Sequence, residues 1–307
     1  MSRRSGFNKR QKDGTAGLAG GASNASRGFN SGEVYEGGGG GSYFADSVPV
    51  GYWTFEDGSG DTVADVSSAG NNLSGSRVSD QVNQPIWDTS TKVRGSYSLL
   101  FDHQDDDSVV VPDNDVLDFS TDDPFSISCW FKRGGSSPSQ IGGLVVKSAQ
   151  TSFGGVDSPF EGYSLYFNDT QQRRLAFYLY RNITGIEQLR IQADTYLALD
   201  DTDWHNVVVT YDGSSDFSGV NMYLDGSSYA ISLEAADSLD PGDDITTSTA
   251  LCFGGFINNT VNNSGIYNFK GNMDEVAMWG KELSSEEVSA IYNSGSAQDL
   301  ADGIPST

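Results

Sequence analysis

From about Val48 to Gly295 the chain is a succession of short runs rich in β-branched and aromatic residues. VPVGYWTF, SVVVP, FSISCWFK, YSLYF, RLAFYLYR, NVVVTY and MDEVAMW are each closed off by Gly, Asn, Asp or Ser. Runs of that kind read as strands, because branched and aromatic side chains fit a pleated surface and the closing residues favour turns. In RLAFYLYR the alternation is explicit: Leu175, Phe177 and Leu179 fall on one face, Ala176, Tyr178 and Tyr180 on the other. Many such strands with almost no helical period predict an all-β fold, a two-sheet antiparallel jelly-roll sandwich. One short helix near the C-terminus breaks the pattern. In LSSEEVSAIYNSG, Ser284 caps, Glu287 completes the capping box and Leu283 staples onto Val288. Val288, Ile291 and Tyr292 form its apolar face, and Gly295 is its stop.

Charge divides the chain. The whole carries 18 Lys+Arg against 42 Asp+Glu, a net charge of -24 over 307 residues. Such a body repels phosphate, so no nucleic-acid partner is expected. Residues 1–30 are the exception, with six basic residues and the single acid Asp13. The sequence therefore reads as a basic, Gly/Ser-rich extended arm over 1–47, a jelly roll over 48–298 and a tail over 299–307. Alone, the arm buries too little apolar surface to offset its chain entropy and is expected to be disordered. Its basic and aromatic groups Arg3, Arg4, Phe7, Lys9, Arg10, Lys12 and Phe29 are the candidate anchor to a partner. MSRRSGFNKRQKDG lacks an apolar stretch and does not read as a secretory signal. No apolar run is long enough for membrane insertion.

Four pieces occur in an order that resembles the laminin-G-like members of the concanavalin-A-like lectin/glucanase superfamily. They are GYWTFEDGSGDTVADVSSAGNN, then GSYSLLFDHQDDDSVVVPDNDVLDF with DDPFSISCWFKR, then DTDWHNVVVTYDGSSDFSGVNMYLDGS, and finally FKGNMDEVAMWGKELSSEEVSAIYNSG. The similarity covers roughly residues 50–295 and implies two curved antiparallel sheets packed face to face. It also implies calcium as a cofactor, because many relatives hold that ion between the first loop and the closing strand. The matching positions are Asp65, Asn71 and Asp274. A hard cation wants six to eight oxygens of this kind. The competing acidic run, Asp102–Asp123, lacks the spacing of an EF-hand loop and reads as a solvated, self-repelling segment.

Catalysis is not expected. The Glu-x-Asp-x-x-Glu strand of the glycan-cleaving relatives is absent, and His205, behind Trp204 in its hairpin, reads as structural. Cys129 and Cys252 are two buried thiols, or a bridge if their strands are neighbours. For ligand binding the pointer is Tyr166, Tyr178 and Tyr180, which lie opposite the core stripe. If their strands adjoin, they make an aromatic patch on which sugar rings stack; the other reading is burial under a loop or an oligomer contact.

Two functions follow as expectations. The first is a non-enzymatic virion structural protein of a bacteriophage, a capsid or tail decoration or host-adhesion module at the virion surface. It would be held to other virion proteins by the arm and could form a homo-oligomer. The alternative is a calcium-dependent protein of a bacterial cell surface or the extracellular space that binds cell-surface glycan.

Overall fold

The computed structural model describes residues 34–36, 42–78, 84–102, 107–134, 142–148, 161–168, 174–182, 186–195, 203–234, 239–255 and 268–306. The anchor candidates Arg3, Arg4, Phe7, Lys9, Arg10, Lys12 and Phe29 lie outside them. The chain divides into Met1–Ser31 and Gly32–Thr307, and everything below concerns the second unit.

The first strands are β1 (Val34–Glu36), β2 (Ser42–Phe44), β3 (Gly51–Trp53), β4 (Thr62–Val63), β5 (Gly75–Val78), β6 (Ile86–Asp88) and β7 (Ser98–Phe101). Next come β8 (Ser108–Val111), β9 (Phe125–Arg133), β10 (Gly142–Ser148), β11 (Gly162–Asn168), β12 (Arg174–Asn182) and β13 (Ile186–Ala193). The last are β14 (His205–Tyr211), β15 (Val220–Leu224), β16 (Ser227–Tyr229), β17 (Ile231–Leu233), β18 (Leu251–Phe253) and β19 (Gly271–Trp279), before helix α1 (Ser285–Tyr292). β1 and β2 pair with each other as a two-stranded antiparallel ribbon, and the other strands form two antiparallel sheets. One has nine strands in the order β17-β13-β12-β11-β10-β18-β8-β5-β4. The other has eight, in the order β16-β15-β14-β9-β19-β7-β6, with β3 also pairing with β19. No helix among the described residues is long and apolar enough to cross a membrane.

The core lies between the sheets and is built of large rings. Phe119 stacks on Phe125 at 4.5 Å, Trp53 meets Phe253 edge-on at 4.9 Å, and Phe131 meets Phe167 edge-on at 5.2 Å. Each fully buried ring of this size contributes about 1.5–3 kcal/mol by leaving water. Leu175, Phe177 and Leu179 point into this core, and Ala176, Tyr178 and Tyr180 form a separate cluster on the opposite face, as their alternation requires.

The helix forms where its cap directs. Ser284 Oγ accepts from Glu287 N, and Glu287 Oε2 accepts from Ser284 N at 2.8 Å. It ends two residues before its glycine, on Asn293 in the left-handed region. Its apolar face, with Val288 and Ile291, covers Val208, Ala277 and Trp279 on the outer side of the eight-stranded sheet.

The ends of the domain differ from expectation. Residues 42–47, assigned to the flexible arm, pair with the 299–307 tail: Phe44 N donates to Ile304 O at 2.9 Å and Ser306 N to Ser42 O at 2.8 Å. Ser47 Oγ accepts from Ile304 N, while its carbonyl accepts from the Trp279 indole at 2.8 Å. Leu300 and Ile304 are buried beside α1, so the tail is part of the core. Leucine and isoleucine at these positions leave water only by folding back, and the small residues between them permit it.

Candidate functional site

The outer faces of the two sheets are finished differently. That of the eight-stranded sheet is closed by α1, Phe44, Leu300 and Ile304. That of the nine-stranded sheet is crossed by rows of polar and aromatic side chains whose register follows from the strand pairing. One row reads Ser148, Gly162, Tyr180, Gln188; the next reads Val146, Ser164, Tyr178, Arg190; the third reads Tyr166, Ala176, Gln192, Ser232. Gly162 (φ +109) is required here, since a Cβ would stand 1.9 Å from the Lys147 carbonyl.

The three tyrosines do come together. Tyr166 and Tyr180 each meet Tyr178 edge to face, at 4.9 and 5.3 Å. Of the two readings open from the sequence, an exposed patch or a buried cluster, the rings take the second, being only 1–4% exposed. The rings pack on one another, and the Arg190 guanidinium lies 4.6 Å from the Tyr178 ring centre. Burial pushes the Tyr166 and Tyr180 phenols up despite the nearby Arg190 charge, so both remain neutral. Beside them, on β13 and at β17, Gln188, Arg190, Gln192, Ser232 and Glu234 form a partly exposed strip of the face.

This face has hydrogen-bonding capacity left over. Ser148 Oγ and Ser164 Oγ are buried with no hydrogen-bond partner, as are Arg190 Nε and Glu234 Oε2. Arg190 Nη2 contacts Glu234 Oε1 at 2.7 Å and donates to the Tyr178 hydroxyl at 3.1 Å. Burial raises the Glu234 carboxyl above its ordinary range. Sequence reasoning passed over Arg190 and Glu234. The alternation of polar residues in IEQLRIQA, with Gln188, Arg190 and Gln192 on one face, is the signal that points to the strip.

The calcium set is not assembled. Asp65 Oδ1 accepts from Tyr52 N, Ser67 N and Ser67 Oγ, and its Oδ2 accepts from Leu73 N at 3.0 Å. Asn71 Nδ2 donates to Val50 O at 2.8 Å. Asp274 Oδ2 accepts from Val93 N and Arg94 N, and its Oδ1 from Glu275 N. Carboxylates engaged by several amide donors tie down loops and have few lone pairs left for a cation, so the surroundings of Asp65 and Asp274 do not favour a shared calcium. Among the described residues no three His, Cys, Asp or Glu side chains are grouped to hold a metal.

Asp274 belongs instead to a buried acid pair. Between Asp274 and Ala277 the pairing of β19 with β9 shifts register, and Glu275 takes a left-handed backbone (φ 48°). Its carboxylate accepts from the Tyr52 hydroxyl and pairs with Arg94 at 3.2 Å, while Arg94 also holds Asp299. Burial first, then the adjacent Glu275 charge, pushes Asp274 up to about 8. Burial raises Glu275 to about 7 against the pull of Tyr52 and Arg94.

The acidic run is not merely solvated. Its Asp113 and Asp118 flank the buried Lys147 ammonium at 2.7 and 2.8 Å, and Thr247 O and Thr249 O complete the cradle at 2.6 and 3.0 Å. His205 Nδ1 lies 2.7 Å from Asp225 Oδ2, a partner supplied by the turn two strands on. Cys129 and Cys252 are free and buried, in different sheets and different clusters.

Residues 103–289 match the profile of a laminin G-like family described as the concanavalin A-like lectin/glucanases superfamily. No curated protein matches the chain in sequence. Among solved structures, the binding domain of Paraclostridial Mosquitocidal Protein 1 is similar at a TM-score of 0.54 and 17% identity, over 80% of this chain and 52% of that one. The binding domain of botulinum neurotoxin DC, solved with rat synaptotagmin II, gives 0.52 and 14% over 81% and 52%. A botulinum neurotoxin type C structure, where cell entry depends upon interaction with two ganglioside molecules, gives 0.51 and 14% over 81% and 51%. The chain thus spans about half the length of each, and the likeness is one of fold.

Proposed function

The chain belongs to the concanavalin A-like lectin/glucanases superfamily, and from that premise we propose that it is a non-catalytic binding module for a cell-surface glycan. The ligand lies on the outer face of the nine-stranded sheet, along the strip Gln188, Arg190, Gln192, Ser232 and Glu234. The observation that supports this most is the contrast between the two outer faces. One is sealed by apolar packing, whereas the other presents partly exposed amides, a hydroxyl and a guanidinium. Sugar hydroxyls pair with such groups.

Similar structures include toxin binding domains, one seen with a protein receptor and one tied to gangliosides, which favours recognition outside the cell. Nothing in these likenesses supports a virion decoration, and the glycan-binding alternative is the better reading. A glycan array probed with the full chain tests the proposal. Binding should fall about tenfold in the Gln188→Ala/Gln192→Ala double variant, with the melting temperature unchanged. An array with no retained glycan, or binding indifferent to this pair, would overturn it.

A further inference from the structure

The strip also specifies the charge of its ligand, an inference that rests on the binding face proposed above. Arg190 sits at the centre of the strip, flanked on the same face of β13 by Gln188 and Gln192. Its guanidinium is only half used. Nη2 serves both Glu234 Oε1 and the Tyr178 hydroxyl, while Nε, the donor on the same side of the fork, has no partner. The carboxylate opposite is equally incomplete. Glu234 Oε1 takes the Arg190 contact and a long 3.4 Å contact from Asn168 Nδ2, and Oε2 takes none.

A guanidinium and a carboxylate bind best through two parallel hydrogen bonds, and this pair makes one. Glu234 follows the three-residue edge strand β17, attached through its amide to Arg190 O at 2.9 Å. It is therefore an internal occupant on a short edge element, holding an arginine by one contact. The Arg190 stem stays in place regardless, because the guanidinium rests on Tyr178 and the strand pairs on both sides.

We propose that the glycan taken by this face is acidic, and that, with the repulsion of the chain's net charge of -24 screened by salt, its carboxylate or sulfate displaces Glu234 and engages Arg190 through Nε and Nη2. Gln188 and Gln192 then meet hydroxyls of the same sugar or its neighbour. No covalent change is involved; the ligand's anion replaces one of the protein's own.

The test uses the full chain with saccharides that differ in charge on a common backbone: dextran sulfate against dextran, and oligogalacturonate against its methyl ester. Calorimetry should show at least one charged member binding about tenfold or more tightly than its neutral counterpart. Which of the two does so identifies sulfate or carboxylate. Glu234→Gln, which frees the fork, should tighten that binding about threefold to tenfold. The Arg190→Gln/Glu234→Gln double variant leaves no charge unpaired and should bind charged and neutral members alike. Neutral saccharides bound as tightly as charged ones would overturn this inference and leave the glycan-binding reading standing. Equal affinity for poly-L-glutamate would also overturn it, showing bare charge at work. Failure of every saccharide would overturn the underlying reading.

Discussion

Lys147→Met removes a buried ammonium held between two carboxylates and two carbonyl oxygens. The side chain is 1% exposed, and its nitrogen touches two carboxylates and two carbonyl oxygens within 3.0 Å. Methionine fills the same volume, so cavity formation is not the issue; the loss is electrostatic. Breaking one side of a buried ion pair typically costs about 3–5 kcal/mol, because the other side keeps its desolvation penalty. Here Asp113 is 35% and Asp118 21% exposed, and both can recover some water. The two carbonyls cannot recover as much. The lower end of the range, about 3 kcal/mol, is therefore expected. In a domain of this size that lowers the melting temperature by about 6–12 °C. Urea unfolding followed by tryptophan fluorescence would show the midpoint falling with the slope unchanged. Asp118→Asn should cost less in the Lys147→Met background than in the wild type, because the two share one interaction. A loss below about 1 kcal/mol would refute the reasoning, since it would mean the cradle is hydrated and the lysine incidental.

Two other outcomes follow from the acid pair and the first loop. Raised carboxyl values mean that the folded chain holds protons the unfolded chain has released. Stability from Asp274 and Glu275 is full below about pH 4 and lost as pH rises through about 7–8. Glu275 is one of the two groups responsible, so Glu275→Gln should flatten the dependence of melting temperature on pH between about pH 5 and pH 8. An unchanged slope would show that the pair is ionised when folded. Because Asp65 is saturated by amide donors, excess EDTA should leave the melting temperature unchanged, and a fall of several degrees on chelation would reinstate a bound cation by linkage.

What the sequence revealed was whatever is decided locally. Ser284 and Glu287 lie three residues apart, and the alternation of Leu175, Phe177 and Leu179 is fixed by the pleat, so helix and sheet faces were both legible. Lys147 was not, because its cradle comes from Asp113, Asp118 and the 247–249 carbonyls, which only folding brings together. The tyrosine cluster was half legible: parity put the three rings on one face, but their burial depends on what packs around them. Asp65 and Asp274 are ambiguous in the sequence for a different reason. An Asp in a loop suits a cation or a set of amide hydrogens equally well, and only the backbone path distinguishes the two. The attachment of residues 42–47 was not legible because β2 follows a glycine run, pairs with β1 and meets residues 304–306 from the other end of the chain.

The place of β19 governs the order in which this domain can be completed. β19 runs between β9 on one side and β7 and β3 on the other, yet it is the last strand of its sheet to be made. During synthesis the ribosome finishes β9 about 140 residues before it starts β19, an interval of roughly 7–28 s. Throughout that time the nascent chain carries β9 and β7 with raw edges and the ring-lined core open between them. Such edges accept any passing strand. A chaperone that occupies the β19 gap, or slow release into dilute surroundings, would therefore govern yield more than any single core contact, and a transcript broken before residue 271 would produce a chain that aggregates rather than a smaller domain.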